Sequence, residues 1–362
     1  MSTRRNLPTI ERPPLDPSTG ASDDRRSEAP TVISRLVHDF GGVQIVLGTA
    51  QEYLRSLAPG IVQTVVTSPP YYRQRDYGVA GQLGLEGSPD AYVASLVATL
   101  EEVRRVLRDD GTLWINLGDS YAGPRRTCGI GAYSTINSTR AAEAFRLVPH
   151  SRSAKLPPGV KAKDLLGIPW SVALALRAAG WYLRQEIIWA KPNPKPESVR
   201  DRCTRAHEYL FLLSKSERYY FDADAISEPA IWPRGPGNVV PNRTIPGQRS
   251  GANANTSSNL HAIGPRAVRF RRSVWSIQTR PYRGAHFATF PPALVEPCLL
   301  AGSKPGDLVL DPFAGTGTTL EVARRLGRAS LGIEISQASV DLIFRRLRLD
   351  QGTLDYRQEI SP

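Results

Sequence analysis

From Val43 onward the chain alternates short apolar runs with turn signals and amphipathic stretches. Seven runs read as buried strands: Val43 to Leu47, Ile61 to Thr67, Thr112 to Leu117, Glu186 to Ala190, Glu208 to Leu213, Leu308 to Leu310 and Ala329 to Ile335. Between them, Pro89 to Leu107 sets Tyr92, Val93, Leu96, Val97, Leu100, Val103 and Leu107 at helical spacing. Ile168 to Ala179, Pro292 to Ala301, Thr318 to Leu326 and Gln337 to Leu347 repeat that pattern. Strands alternating with helices of this length predict an α/β fold, a mostly parallel seven-stranded sheet with helices on both faces. Residues 1–33, rich in Pro, Ser, Asp and Arg, bury too little apolar surface to order themselves and read as a flexible N-terminal arm, with residues 351–362 as a C-terminal tail.

Composition narrows the class. In 362 residues, 41% of them hydrophobic, there is material for a large core. Cys128, Cys203 and Cys298 are widely spaced with no CxxC pairing, which argues against a disulfide scaffold and a thiolate metal site; no metal is expected. No apolar window is long enough to span a bilayer and no apolar segment opens the chain, so a cytoplasmic protein without a membrane partner is expected.

The net charge of +12 is not spread evenly. Residues 122–163 carry eight basic side chains against Glu143 alone, and residues 229–295 carry nine arginines and no acid. Of the 46 basic and 34 acidic residues, 29 and 33 lie outside these stretches, so the remaining chain is slightly acidic. A charge run is usually a solvated loop. Here Trp232, Phe270, Trp275 and Tyr282 interleave with the arginines, a mixture suited to phosphate contact and base stacking. Arg243, Arg249, Arg266, Arg269, Arg271 and Arg272 are the candidate nucleic-acid contacts.

Two motifs carry chemistry. Thr67-Ser68-Pro69-Pro70-Tyr71-Tyr72 follows an apolar strand; two prolines fix two φ angles and remove two donors, giving a rigid turn that presents acceptors and a ring. Ser68 Oγ, the Pro69 carbonyl and the Tyr71 face suit an exocyclic amine on a planar base. The second motif, Leu308 to Thr319, is a strand running into a glycine turn that opens a helix; Glu334 ends the next strand, 23 positions after Asp311. A dinucleotide fingerprint would need glycine at Leu320, and a phosphate loop would need lysine at Thr318. A nucleoside ligand without phosphates, bearing an amino-acid tail, fits better.

Asp311-Pro312-Phe313-Ala314-Gly315-Thr316-Gly317-Thr318-Thr319 with Gly332-Ile333-Glu334-Ile335-Ser336 resembles the S-adenosylmethionine loop of methyltransferases, and Thr67 to Tyr72 resembles the catalytic loop of DNA amino-methyltransferases. The resemblance runs from about Val43 to Arg346 and includes Gly111 to Tyr121, Lys163 to Trp170, Ile188 to Pro194, and His207-Glu208-Tyr209. It implies a Rossmann-like methyltransferase fold with S-adenosyl-L-methionine as cofactor and double-stranded DNA as substrate. Catalytic loop first and cofactor loop last is the circularly permuted, β-type order, with a catalytic half at 34–221, a target-recognition segment at 222–282 and a cofactor half at 283–350.

By that resemblance Ser68, Pro69, Pro70 and Tyr71 form the catalytic loop. Asp311, Phe313, Ala314, Gly315, Thr316, Gly317 and Thr318 surround the cofactor, Glu334 takes its ribose hydroxyls, and His286, Phe287 and Thr289 precede the loop on the methionine side. After the first strand, Leu47-Gly48-Thr49 puts Thr49 where relatives often carry an acid. Ser at position 68, where adenine-N6 relatives carry Asp, implies methylation of cytosine N4 in a flipped base; adenine N6, or an inactive DNA-binding protein of this fold, are the alternatives. A cognate restriction endonuclease and a second copy of the chain are further candidate partners. Pro297-Cys298 suggests cytosine C5 chemistry only superficially, because Cys298 sits in an apolar helical run. His207 is read as a structural histidine and Asp119 receives no chemical role.

Overall fold

A computed structural model describes residues 34–74, 76–122, 156, 159–230, 268–279 and 290–349. The N-terminal arm, the C-terminal tail and most of the 122–163 insertion lie outside the described residues, as do Arg243, Arg249, Arg266, His286, Phe287 and Thr289. The chain divides into two compact units, with boundaries at Tyr220/Phe221 and Arg272/Ser273.

The larger unit is built on one sheet. Its strands are β1 (Arg35–Phe40), β2 (Val43–Leu47), β3 (Val62–Thr67), β4 (Leu107–Leu117), β5 (Tyr182–Ala190), β6 (His207–Ser214), β9 (Val274–Ser276), β10 (Leu308–Asp311) and β11 (Ala329–Glu334), in the spatial order β1-β2-β11-β10-β3-β4-β6-β5-β9. All seven expected strands are present, but the sheet has nine. The additions are at its edges: β1 pairs antiparallel with β2, and β9 pairs parallel with β5. The polar positions Arg35, His38 and Asp39 hide β1 from an apolar-run search, and three residues are too short a run to reveal β9. Val274–Ser276, assigned from sequence to the target-recognition segment, therefore belongs to the main sheet.

The helices are α1 (Ala50–Ser56), α2 (Pro89–Val106), α3 (Ile168–Ala178), α4 (Pro292–Gly302), α5 (Thr318–Arg325) and α6 (Gln337–Leu347). Successive strand residues point to opposite faces, and Ile45 and Val46 accordingly enter different cores. Val46 joins Leu54 of α1, Tyr92, Leu96 and Leu100 of α2, and Val172 and Leu176 of α3. Ile45 joins Leu320 of α5 and Val340, Ile343 and Phe344 of α6. A sheet covered on both faces buries every strand position; β3 and β11 are buried along their whole length, the polar Gln63, Thr64 and Thr67 of β3 included.

Local signals set the helix starts. Ser88 Oγ accepts from Ala91 N at 3.1 Å, with Pro89 in the first turn of α2. Gly167, left-handed at φ 69°, has no side chain to cap α3, and Asp119 supplies the acceptor: Gly167 N and Ile168 N donate to its carboxylate at 3.1 and 3.2 Å. Asp119 is thus a helix anchor. Cys298 is buried within α4, its Sγ 3.2 Å from Leu294 O, which fits a structural thiol. Trp275, read from sequence as a stacking aromatic, is buried in the sheet at 4% exposure, so it has no face for a base.

The smaller unit contains a two-stranded pairing of β7 (Glu228–Pro229) with β8 (Val268–Arg269). Glu228 Oε1 accepts from Arg269 Nε at 2.8 Å and Arg272 Nε at 2.6 Å. Desolvation pushes this carboxyl up, but hydrogen bonds from Arg272 and Arg269 outweigh it and hold the group below the usual range. Two expected DNA contacts are therefore partly neutralised by an acid lying one residue before the acid-free stretch; Arg272 is still 62% exposed.

Gly317 opens α5 with φ +75°, and a Cβ there would lie 2.9 Å from Ile343 Cγ2. Gly317→Ala combines a left-handed backbone cost with a clash. We expect a loss of about 1–3 kcal/mol in urea unfolding.

Candidate active site

The strand order brings the two sequence motifs together. β10 and β3 are hydrogen-bonded parallel neighbours, with Leu310 opposite Val65. Ligands of open α/β sheets bind beyond the carboxyl ends of such strands, and here a cavity of about 340 Å³ lies at that edge. Ser68, Pro69, Pro70 and Tyr71 form one wall; Pro312, Phe313, Ala314, Gly315, Thr316 and Thr318 form another; Glu334 and Thr49 complete it. Asp311 and Gly317 lie behind the surface. Thr49 Oγ1 also caps α1, accepting from Glu52 N at 3.4 Å, and Glu52 lines the same cavity.

Asp311 organises the glycine loop from beneath. It is 1% exposed, and Oδ1 accepts from Thr67 Oγ1 at 2.6 Å and from Phe313 N at 3.1 Å. Burial pushes its carboxyl up to about 6 despite these donors. Glu334 Oε2 accepts from Gly315 N at 2.8 Å and Oε1 from Ser336 N at 2.9 Å; burial raises this carboxyl to about 7. From α6, Arg346 Nη1 donates to Thr316 O, Thr316 Oγ1 and Thr318 Oγ1 at 3.1, 2.8 and 2.7 Å, tying the loop down from behind.

The Pro-Pro turn is held as firmly. Tyr92 of α2 donates to Pro70 O at 2.8 Å, so one carbonyl that sequence reading left without a competitor does have a partner. A Cβ on Gly118 would come 2.6 Å from the Tyr71 ring, which packs on that glycine's bare backbone. The Tyr71 hydroxyl donates to Glu208 Oε2 at 2.7 Å and accepts from Asn116 Nδ2 at 2.6 Å; Ser68 Oγ lies 3.5 Å from it. Asn116 Nδ2 also reaches Glu208 Oε2 at 2.7 Å, and Lys191 Nζ pairs with Glu208 Oε1. Burial, then the charge of Glu208, raises the Tyr71 phenol well above its usual value, so it remains a proton donor.

Asn116, Glu208 and Lys191 were not singled out as site residues from sequence. The available signal was a polar side chain interrupting an apolar strand, Asn116 in β4 and Glu208 in β6. Only the antiparallel course of β6 makes its first residues, rather than its last, reach the functional edge beside β4 and β5. His207 stands edge-on to Tyr209 at 5.3 Å, and burial with the charges of Arg205 and Lys191 lowers its basicity, consistent with an uncharged structural role.

The residues fit an adenosyl cofactor with an amino-acid tail: a carboxylate at a strand end with one backbone donor on each oxygen, a small-residue loop, and apolar walls at Phe313 and Ile333. Such a fold and site define a methyltransferase that uses S-adenosyl-L-methionine. The sequence pattern of the N6/N4 DNA methylase family matches residues 62–345, and the chain belongs to that family. It is 41% identical over 328 residues to the type II methyltransferase M.Cfr9I of Citrobacter freundii, covering 90% of this chain and 95% of the relative. Identity to type II methyltransferase M.SmaI of Serratia marcescens is 43% over 312 residues, 86% and 93% of the two chains. The fold is similar to that of TTHA0409 from Thermus thermophilus, solved complexed with S-adenosyl-L-methionine, with TM-score 0.51 and 25% identity over 85% of this chain and 94% of that one. It is also similar to that of the PvuII DNA methyltransferase (cytosine-N4-specific), with TM-score 0.55 and 18% identity over 86% and 88%.

A carboxyl raised on folding favours the protonated form, so the stability contributed by Asp311 and Glu334 is full below about pH 4 and is lost as pH rises through about 6 and 7. Ligand binding runs oppositely, because ribose hydroxyls donate and an ionised carboxylate only accepts. Calorimetric affinity for S-adenosyl-L-methionine should weaken about tenfold from pH 8 to pH 6, and Glu334→Gln should abolish most of that dependence.

Proposed function

We propose that this chain is the modification methyltransferase of a type II restriction-modification system, transferring a methyl group from S-adenosyl-L-methionine to N4 of a flipped cytosine in duplex DNA. The observation that carries the base assignment is Ser68, a neutral hydroxyl on the cavity wall at the position where adenine-modifying relatives carry Asp. When bound, the cofactor supplies an electrophilic sulfonium methyl. Phe313, Gly315 and Thr316 would border it and Glu334 would accept from its ribose.

An exocyclic amine is a weak nucleophile because its lone pair is conjugated with the ring. Ser68 Oγ and the Pro69 carbonyl, accepting from that amine, favour its pyramidal form and the positive charge that develops on nitrogen. Tyr71 offers a ring, fixed by its own hydroxyl, on which an extruded base can stack, offsetting part of an unstacking cost of a few kcal/mol. Catalytic loop before cofactor loop corresponds to the β-type permutation, and the basic stretches 122–163 and 229–295 are the segments that contact DNA phosphates. A cognate endonuclease cutting the same sequence would be the partner.

Duplex DNA incubated with the protein and labelled cofactor, digested to nucleosides and analysed by mass spectrometry, should yield N4-methylcytosine; N6-methyladenine would overturn the base assignment. Ser68→Ala should lower kcat by about 10²-fold or more with cofactor affinity little changed. Arg271→Ala with Arg272→Ala should weaken DNA binding and reduce the salt slope by about 2, measured by fluorescence anisotropy against salt concentration.

A further inference from the structure

The Tyr71 cluster has more in it than positioning requires. Methyl transfer to an exocyclic amine leaves a nitrogen with a positive charge and one proton too many. The Pro-Pro turn gives that proton no carboxylate at position 68, and Ser68 Oγ is the hydroxyl that this turn places on the wall. Behind it the hydrogen bonds continue in one direction: Ser68 Oγ to Tyr71 Oη at 3.5 Å, then Tyr71 Oη to Glu208 Oε2 at 2.7 Å. Asn116 fills the remaining acceptor site of the phenol from β4, leaving Glu208 as the receiver of the Tyr71 proton.

We propose that Glu208 is the terminal acceptor of the proton released by the target amine, reached through Ser68 and Tyr71. As the new C–N bond forms and the sulfonium–methyl bond breaks, the amine N–H bond breaks toward Ser68 Oγ. The Ser68 proton passes to Tyr71 Oη, and the Tyr71 proton passes to Glu208 Oε2. Charge is conserved: the positive nitrogen becomes neutral and the carboxylate becomes a carboxylic acid. The protonated product amine is a strong acid, because its lone pair is withheld from the ring, so a carboxylate suffices as receiver. The raised phenol does not oppose this, because the hydroxyl gains one proton as it loses another and never stands as phenolate.

The groups around Glu208 suit the role. Lys191, just past β5, pairs with the other oxygen, Oε1, so that Oε2 faces the phenol. His207 adjoins it in sequence, and Arg205, 3.9 Å from Asp119, adds positive charge on the same side. Glu208 and Lys191 side chains are each 17% exposed, enough for the proton to leave to water.

The inference rests on the amino-methylation reading, and the experiment separates the two. Single-turnover methyl transfer to duplex DNA is measured against pH for the wild type, Glu208→Gln and Tyr71→Phe, with product nucleosides identified by mass spectrometry. Glu208→Gln preserves an oxygen acceptor for Tyr71 but cannot take the proton. We expect both variants to bind cofactor normally and to lose at least tenfold in rate. With cofactor saturating at every pH, so that the Glu334 dependence does not enter, the acidic limb of the wild-type profile should vanish in Glu208→Gln, and the double variant should be no slower than the slower single one. Glu208→Gln at the wild-type rate, or slowed with its acidic limb intact, would overturn the proton route; the latter result leaves Glu208 a positioning residue. A wild-type product other than an N-methylated amino base would overturn the underlying reading instead, whatever the variants do.

Discussion

A single hydrogen bond marks the constraint on which the site depends: Thr67 Oγ1 to Asp311 Oδ1, 2.6 Å, between residues 244 positions apart and both buried. It lies where β3 and β10 run side by side and end together. Because those strands are parallel neighbours, both following loops emerge at the same edge, and the catalytic turn meets the glycine turn across one cavity. A buried carboxylate is costly unless its oxygens are satisfied, so Asp311 holds Thr67 and the Phe313 amide in fixed positions. The first residue of each loop is thereby tied to the other loop. Thr319 Oγ1 donating to Val66 O at 3.1 Å reinforces the same seam.

A second constraint comes from the antiparallel strand. β6 lies between β4 and β5 and opposes both, which brings Glu208 to the edge where its neighbours end. That reversal lets Glu208 join the Asn116 amide of β4 at the Tyr71 hydroxyl, while Lys191 pairs with the far oxygen of Glu208. The bonds from Asn116 and to Glu208 fix the orientation of the Tyr71 hydroxyl.

Charge is divided differently from structure. The scaffold outside the two basic stretches is slightly acidic, while the positive residues gather within those stretches. Among the described arginines of the second stretch, Arg269 and Arg272 share Glu228. Such a pairing lowers their net charge and sets the direction of two long side chains.

Most of the fold was legible in the chain because strands covered on both faces are rich in apolar residues, and helices between them show their 3.6-residue period; those patterns are local. The residues of the two loops were legible for the same reason, since prolines at 69 and 70 and glycines at 315 and 317 impose their conformations without help from elsewhere. Edge strands β1 and β9 were not, being short or interrupted by polar residues. Trp275 was misread because its burial comes from a partner strand far back in the chain, with Trp189 opposite Trp275 and Ala190 opposite Ser276. Asn116 was a single polar letter in an apolar strand, but Glu208 stood at the start of one and Lys191 just past another, with no local mark of a shared site. The sequence by itself determined the class of sheet, the two chemical loops and where the charge lies. Only the tertiary structure decided that Asp311 faces inward and that three strand ends converge on Tyr71, because strand order and direction place residues that no local pattern relates.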